Sequence, residues 1–364
     1  MADRDDYALV SAQVTEVPAP DLSYLPPHPE GRHRIALVGA GGISFAHLDA
    51  YRKHGFDVAA ILSRDEAKAR ARRDEFFPAA EVLTDYAALL RRDDITVIDL
   101  TPHPAERLPL MEAALAAGKH VLSQKPFVSD LATGHRLVAL AADNGVHLAI
   151  NQNGRWSPHM AWMRAAVQAG LVGEVLGVHA SLHWDHRWIL GTPFAQMHDV
   201  VLFDFGIHWF DFVTSITGRL AASVQAQAIA APATGIGVPM LASALLDFGT
   251  AQATLVFDAA TPHGPRDTTY IAGSKGSVVA SGPDLGHQTV ELFTEAGVAR
   301  PKLHGNWFND GFAGAMGALL VAIETGVEPE HSARQNLMSL ANAFAALAAA
   351  RTGRAIVPGE AGQR

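Results

Sequence analysis

The chain has 364 residues, of which 49% are hydrophobic and 18% charged, and its formal net charge is −9 at pH 7. This length exceeds the roughly 250 residues that one hydrophobic core usually supports, so two domains are expected. The acidic balance argues against nucleic-acid binding, which needs many Lys and Arg contacts to phosphates, and the lack of cysteine excludes disulfides, thiol catalysis and zinc–thiolate sites.

The first residues do not have the pattern of a secretory signal. The segment Met1–Asp6 is acidic, whereas a signal begins with basic residues and continues with an apolar run. No apolar run along the chain reaches the ~20 residues that a membrane-spanning helix requires. We therefore expect a soluble, cytoplasmic protein without a membrane partner.

Residues 1–32 are predicted to form an extended N-terminal arm. No helical or strand periodicity persists there, and the segment contains Pro18, Pro20, Pro26, Pro27 and Pro29. Each proline removes a backbone donor, which disfavours a core element. The arm is either a disordered tail or a segment that crosses the surface or embraces a partner subunit.

Residues 33–152 alternate short apolar runs with longer helical patterns. The predicted strands are Arg34–Val38, Asp57–Leu62, Thr96–Leu100, His120–Leu122 and Val146–Ile150, and the predicted helices are Ile43–Lys53, Asp65–Phe76, Ala105–Ala117 and Asp130–Asn144. Alternation with short links is typical of right-handed crossovers and a doubly wound parallel sheet. These residues therefore predict a Rossmann domain.

The pattern changes in residues 153–358, which predict an α+β domain with a large, mostly antiparallel sheet. Predicted strands are Val175–His183, Ala221–Ile229, Met240–Asp247, Gln252–Asp258, Thr268–Ala272 and Thr289–Phe293, and predicted helices are Pro158–Ala169, His208–Thr217, Phe312–Thr325 and Ala333–Ala350. Turns are expected at Gly249 and at Gly273–Gly276. Residues 359–364 are a short tail.

A glycine-rich turn follows the first predicted strand and opens the first helix. Gly39 allows the tight turn, and Gly41 lets the backbone approach a pyrophosphate. Gly42 and Ile43 continue the turn into the N-terminus of the helix, which supplies free N–H groups and a positive dipole end. The strand, turn and helix together predict a dinucleotide site.

The end of the second strand bears on the choice between NAD and NADP. Instead of the usual acidic residue, the chain has Ser63 and Arg64, and this pair permits a 2′-phosphate. Arg64 alternatively stacks on adenine or lies in solvent. Asp65 alternatively caps the following helix. Both NAD and NADP therefore remain open as cofactors.

Four later motifs occur in order along the chain. They are Thr101-Pro102-His103, the segment Gly118–Pro126 ending in Gln124-Lys125-Pro126, the segment Asn153–Pro158, and Asp204-Phe205-Gly206-Ile207-His208. With the glycine turn, they make residues 33–358 resemble the Gfo/Idh/MocA family of sugar and polyol oxidoreductases. The resemblance implies a Rossmann domain followed by an open-faced sheet domain that often serves in oligomer assembly, so a homodimer or homotetramer is expected.

The resemblance also implies a catalytic set. Lys125 matches the lysine beside the nicotinamide and the reacting hydroxyl, and Asp204 and His208 match the family's Asp and His. Imidazole chemistry makes His208 the best general base, because its ordinary pKa of ~6.5 is near neutrality. Lys125 would stabilise a developing alkoxide. Asp204 lies one turn before His208 if this segment is helical, where it would bind a substrate hydroxyl or orient the imidazole.

Further residues are assigned to the cofactor or the substrate. Thr101, Pro102, His103, Gln124 and Asn153 are predicted near the cofactor, and Arg155, Trp184, His186 and Trp307 near the substrate. Arg155 is alternatively a structural salt-bridge former, and Trp307 a packing residue. No metal site is expected, because strand alternation would place the imidazoles of His183 and His186 on opposite faces.

The sequence departs from the family pattern at several positions. Gln124 stands where the family has Glu before the catalytic Lys, so one charge is lost. His103 and Glu106 replace the family's Asn and His after Thr-Pro. Val200–Leu202 replaces glycines that often precede the Asp-x-Gly-x-His motif. These differences suggest a divergent substrate subgroup.

The leading functional hypothesis is an NAD(P)-dependent dehydrogenase that acts on a hydroxyl-bearing carbon of a sugar, sugar derivative or polyol. Pentoses and branched sugars such as apiose, pyranoses and inositols are all candidates. One alternative is a reductase of a non-carbohydrate cyclic or unsaturated substrate, like the biliverdin reductases of the same superfamily. Another is a non-catalytic dinucleotide-binding regulator, like the transcriptional corepressors that share this fold.

Overall fold

A computed structural model describes residues 14–363 of the chain. Residues 1–13 of the predicted arm and Arg364 of the predicted tail lie outside the described residues. The N-terminal domain contains β1 (Arg34–Val38), α1 (Ser44–Lys53), β2 (Asp57–Leu62), α2 (Glu66–Phe76), β3 (Glu81–Leu83), α3 (Tyr86–Leu90), β4 (Val97–Leu100), α4 (Pro104–Ala116), β5 (His120–Gln124), α5 (Leu131–Asp143) and β6 (Leu148–Asn151).

The N-terminal sheet is fully parallel, with the strand order β3-β2-β1-β4-β5-β6. Its central strands are buried on both faces because helices cover both sides, as in other doubly wound sheets. Aspartates begin three of the helices: the side chains of Asp65, Asp85 and Asp130 each accept a backbone N–H of the following turn. The predicted Rossmann fold is confirmed.

The second domain begins with a 3-10 turn at Asn153–Trp156. It then contains α6 (Pro158–Gln168), β7 (Val175–His183), a π-helical turn (Val200–Phe205), α7 (Ile207–Thr217), β8 (Ser223–Ala230), β9 (Pro239–Asp247), β10 (Gln252–Asp258), β11 (Arg266–Gly273), β12 (Gly276–Gly282), β13 (Thr289–Thr294), β14 (Gly297–Ala299), α8 (Asn309–Thr325) and α9 (Ala333–Thr352). Among the described residues, no helix has both the length and the apolar character needed to cross a membrane.

The second sheet has eight strands in the order β14-β13-β12-β11-β7-β10-β9-β8. Only β7 and β10 pair in parallel; the other neighbours are antiparallel. Buried and exposed positions alternate along β9 and β10, so one face packs on helices and the other stays open. The predicted α+β domain is therefore also confirmed.

Four short or weakly patterned elements were not predicted. β3, β14 and α3 have only three, three and five residues, too few to show a period. β12 has a sequence of small residues, GSVVASG, without clear apolar alternation. The π-helical turn was also missed, because its five-residue spacing, seen in the bond from Gly206 N to Val201 O, has no distinct sequence pattern.

The described part of the arm, residues 14–32, lies against this same chain. The backbones of Thr15 and Val17 hydrogen-bond Val298 of β14, at the edge of the second sheet. Further along, the carboxylate of Glu324 in α8 accepts the backbone N–H groups of Glu30 and Gly31. The arm therefore joins the edge of the second sheet to the entry of β1.

Candidate active site

A cleft of about 2220 Å³ lies where the carboxyl ends of the Rossmann strands face the second domain. Pockets for one small molecule usually have about 300–1,000 Å³, so this cleft has room for a dinucleotide and a second ligand. It is lined by every predicted cofactor residue, namely Gly39, Gly41, Gly42, Ile43, Ser63, Arg64, Thr101, Pro102, His103, Gln124, Lys125 and Asn153. The predicted substrate residues Trp184, His186, Asp204, His208 and Trp307 also line it.

The glycine turn has the geometry that a pyrophosphate requires. Gly39 has a φ of 101°, and a Cβ there would lie 2.7 Å from Oγ1 of Thr101, so no side chain fits. At Gly41 and Gly42, by contrast, an added Cβ would meet nothing within 4 Å, since both face the cleft. α1 begins at Ser44 and directs its free N–H groups toward this space. These residues fit a dinucleotide.

The adenosine end of the site contains the pair Ser63 and Arg64. Arg64 is 86% exposed in its side chain, and its guanidinium bonds the carboxylate of Glu106 at 2.6 Å. Asp65 accepts the backbone N–H of Lys68, so it caps α2. The exposed guanidinium is compatible with a 2′-phosphate, and Ser63 is compatible with a ribose hydroxyl.

Lys125 and Asp204 meet across the domain boundary. Lys125 Nζ donates to the backbone oxygen of Asp204 at 2.8 Å and lies 3.3 Å from its Oδ2. Asp204 belongs to the π-helical turn, not to an α-helix, and the tight turn explains Gly206: a Cβ there would lie 2.4 Å from the oxygen of Leu202. The π turn and α7 place Asp204 and His208 on successive turns facing the cleft.

His208 is held in an aromatic environment. Its ring contacts Trp307 edge-on at 5.6 Å, and its buried Nδ1 has no hydrogen-bond partner among residues 14–363. Burial, and secondarily the charge of Lys125, lower the pKa of His208 well below its ordinary value. A neutral imidazole can accept a proton, so the site holds His208 in the form that a general base needs.

Arg155 is the exception among the predicted site residues, because the structure does not bring it to the cleft. Its guanidinium bonds both carboxylate oxygens of Asp211, at 2.6 and 2.9 Å, and both side chains are at least 95% buried. Ser339 donates to the same carboxylate. The assignment of Arg155 to the substrate is corrected to the structural alternative, since each of its three guanidinium nitrogens donates to an acceptor within the protein: Asp211 twice and the backbone oxygen of Glu330.

Known proteins resemble this chain over most of its length. Residues 33–152 match the oxidoreductase family with an NAD-binding Rossmann fold, and residues 160–279 match the GFO/IDH/MocA C-terminal domain. A dTDP-3,4-didehydro-2,6-dideoxy-α-D-glucose 3-reductase of Streptomyces violaceoruber is 33% identical over 71% of this chain and 76% of its own. The chain belongs to the Gfo/Idh/MocA family.

Two further comparisons agree with this membership. A D-apiose dehydrogenase of Paraburkholderia graminis is 25% identical over 89% of each chain. The crystal structure of an oxidoreductase from Agrobacterium radiobacter, 23% identical, superposes with a TM-score of 0.81 over 91% of this chain and 99% of its own, and supports the fold. This Gfo/Idh/MocA protein is therefore a nicotinamide-dinucleotide-dependent oxidoreductase.

Two residues support Lys125 in this Gfo/Idh/MocA protein: Gln124, predicted only near the cofactor, and Arg107, which was not predicted. Gln124 Oε1 accepts the backbone N–H of Lys125 at 2.7 Å, and Arg107 donates to the backbone oxygens of Lys125 and Pro126. Burial lowers the pKa of Arg107 to about 9, so the guanidinium stays charged at neutral pH. Arg107 follows Glu106 of the compared motif directly. Its acceptors are backbone carbonyls 18 and 19 residues away, however, and a sequence motif gives no sign of such a contact.

Gln124 is held in turn by a buried polar network behind the cleft. His47 Nδ1 and the hydroxyl of Tyr51 both bond Oδ2 of Asp99 at 2.7 Å, and His47 Nε2 lies 3.2 Å from the amide nitrogen of Gln124. His47 and Asp99 have no exposed side-chain surface. These residues touch neither ligand space directly, so they act on the site only through Gln124.

Proposed function

We propose that this protein is an NAD(P)-dependent dehydrogenase that acts on a hydroxyl-bearing carbon of a sugar, sugar derivative or polyol. The observation that carries the proposal is the meeting of Lys125, Asp204 and His208 in the cleft that begins at the glycine turn. The bound nicotinamide supplies the hydride acceptor in oxidation, or the donor in reduction.

The protein's own residues handle the proton. In oxidation, the substrate hydroxyl lies between Lys125 Nζ and His208; the neutral imidazole accepts its proton as the hydride leaves the carbon. The ammonium group of Lys125 stabilises the negative charge that develops on oxygen. Asp204 fixes the Lys125 ammonium through the contacts at 2.8 and 3.3 Å, so the cation is oriented before the substrate arrives.

Unpartnered nitrogens support a polyhydroxyl substrate. Trp184, His186, Trp209 and Asn153 line the cleft, and each has a buried side-chain nitrogen without a hydrogen-bond partner among the described residues. Buried donors are costly when unpaired, so a ligand rich in oxygen acceptors fits this lining. The names of the apiose and dideoxyglucose relatives agree with a sugar, although neither sets the substrate of this chain.

A kinetic screen tests the proposal. Purified enzyme is assayed against a panel of sugars, glycosides and polyols with NAD and NADP in parallel. Substitution of Lys125→Met or His208→Asn is expected to lower kcat by roughly 10²–10⁴-fold, because each removes a group that interacts with the reacting hydroxyl. Exposed residues provide the matched controls Lys275→Met and His263→Asn, which should keep wild-type rates.

The same screen separates the alternatives. Dinucleotide binding without turnover of any panel member would favour a regulator, and equal turnover by the Lys125 and His208 variants would refute the catalytic assignment. Unsaturated cyclic compounds are added to the panel, and turnover of these alone would favour the reductase alternative. A location in the cytoplasm stays a prediction from composition.

We also propose that the open face of the second sheet forms a homodimer or homotetramer. Large apolar side chains project from this face, including Ile229, Leu245 and Tyr270, with exposed fractions of 47%, 41% and 38%. Such a surface is typical of an interface between subunits. Light scattering of the wild-type protein should show an oligomer, and the Leu245→Glu variant should dissociate more readily. A wild-type monomer at micromolar concentration would contradict the proposal.

A further inference from the structure

The substrate side of the cleft has an aromatic wall, formed by Trp184, His186, Trp188, Phe194, Phe205 and Trp209. It begins beside the reacting groups, because the ring of Trp209 lies 6.3 Å from that of His208. Ring contacts continue from Trp209 to Trp184 at 5.5 Å and from Trp184 to His186 at 5.3 Å. The sequence predicted Trp184 and His186 near the substrate, in a stretch that ends at Trp188, and the wall extends beyond this stretch to Phe194, Phe205 and Trp209.

The outer part of the aromatic wall reaches solvent at Trp188 and is held in place, while His186, Phe194 and Phe205 are half-buried. His186 stacks on Phe205 at 4.3 Å, and Trp188 contacts Phe194 at 5.9 Å. Trp188 is 56% exposed, yet its indole N–H donates to His186 Nδ1 at 2.9 Å, which fixes its orientation. A rigid, solvent-exposed aromatic surface inside a ligand cleft is expected to bind an apolar group.

The charges around the cleft argue against an anionic group at the wall. Arg64 and Lys68 lie at the adenosine end, each beside a carboxylate, and Arg107 is bonded to backbone carbonyls. Among the described lining residues, Lys125 is the remaining cation, and it sits at the reacting groups. The charged residue that lines the cleft from the loop after β12 is the carboxylate of Asp284. Among the described lining residues, a phosphate or carboxylate at the wall would therefore meet no free cation.

We propose that the substrate is a neutral glycoside whose aglycone is apolar or aromatic and lies against the aromatic wall, while its sugar ring lies at Lys125, Asp204 and His208. This proposal rests on the proposed function and narrows its substrate class. The reaction remains the same: a hydride leaves a sugar carbon for the cofactor and a proton leaves its hydroxyl for the imidazole. Nucleotide sugars, the class named for the Streptomyces relative, are then poor substrates.

Matched sugar derivatives provide the test. For glucose, galactose and xylose, kcat/KM is measured for the methyl glycoside, the phenyl glycoside of the same anomer, the sugar phosphate and a nucleotide diphosphate sugar. We expect the phenyl glycoside to exceed the methyl glycoside by roughly tenfold, from aromatic contact with the wall. Both phosphorylated forms should fall below the methyl glycoside. Preference for a phosphorylated form, or a phenyl-to-methyl ratio near one for every sugar, would overturn the proposal.

A variant series locates the effect on the wall. Trp188→Ala should lower the phenyl-to-methyl ratio to near one, and Trp188→Phe should retain part of it. Leu190→Ala is the matched control, since Leu190 is 49% exposed two residues away and does not line the cleft. An unchanged ratio in both Trp188 variants would exclude the wall as the aglycone site.

Failure of this proposal is distinguishable from failure of the proposed function. If wild-type enzyme turns over no neutral or charged sugar, the dehydrogenase function fails. Calorimetry then compares phenyl and methyl glucoside binding to the NADH-loaded enzyme, which needs no turnover. Tighter binding of the phenyl glucoside, lost in Trp188→Ala, supports the wall as an aglycone site, and equal binding refutes it.

Discussion

Alanine substitution at two neighbouring glycines separates cofactor binding from folding. At Gly41, a methyl group meets no protein atom within 4 Å, and the backbone φ is not in the left-handed region. Gly41→Ala should therefore stabilise the fold by about 0.4–1 kcal/mol, because it restricts the unfolded chain. The same methyl group projects into the space assigned to the pyrophosphate, so stability and affinity should move in opposite directions.

The expected loss of affinity follows from the hydrogen bonds at the turn. Each bond from a backbone N–H to a charged oxygen contributes about 1.5–3 kcal/mol. Displacement of two such bonds raises the Kd for the dinucleotide by roughly 10²–10⁴-fold, at about 1.4 kcal/mol per decade. Gly39→Ala gives the contrasting result: its φ of 101° costs about 1–3 kcal/mol of folding stability, and its methyl group would contact Thr101.

Calorimetric titration with NAD and NADP measures the dinucleotide affinity of each variant, and urea unfolding of the same preparation measures its folding stability. The expected pattern is a stable Gly41→Ala variant with weak binding and a destabilised Gly39→Ala variant. If Gly41→Ala keeps its dinucleotide affinity within about threefold while remaining folded, the pyrophosphate does not lie against this turn. The placement of the cofactor would then be refuted, whatever the family membership.

Three other predictions address the base, a buried ion pair and nucleotide choice. Because its pKa is lowered, His208 stays neutral as the pH falls through 6.5. The value of kcat/KM for oxidation should therefore stay level through pH 6.5 and fall only at lower pH. A kcat/KM that already falls with decreasing pH above pH 6.5 would contradict this. Arg155→Ala leaves Asp211 buried without its ion-pair partner, so urea unfolding should show a loss of about 3–5 kcal/mol, against little change for the exposed Arg187→Ala. Arg64→Ala should raise the KM for NADP by roughly tenfold and leave that for NAD nearly unchanged; parallel effects on both would show that Arg64 does not contact a 2′-phosphate.

The sequence predicted the features that depend on local patterns. Alternating apolar runs identified the Rossmann strands, and the turn at Gly39 follows from its place between β1 and α1. The motifs led to Lys125, Asp204 and His208, which the structure brings together in one cleft. The buried residues that bond Lys125 and its neighbours have no recognisable pattern in the sequence. Arg107, for example, acts on backbone carbonyls that any sequence would provide.

The Gln124 position shows what the structure adds to such motifs. From the sequence, Gln124 is a family glutamate that has lost its charge. In the structure, the carboxylate of Asp99 accepts the N–H of His47 Nδ1, so His47 Nε2 is left to accept the amide N–H of Gln124. A glutamate carboxylate at this position has no proton to donate to Nε2; it could only accept one, from an imidazole that carries protons on both nitrogens. Gln124 therefore suits an imidazole with a single ring proton, and its remaining oxygen is free to hold the backbone of Lys125. The uncharged amide thus bonds both His47 and the backbone of Lys125, and Lys125 keeps its contact with Asp204 despite the departure from the family motif.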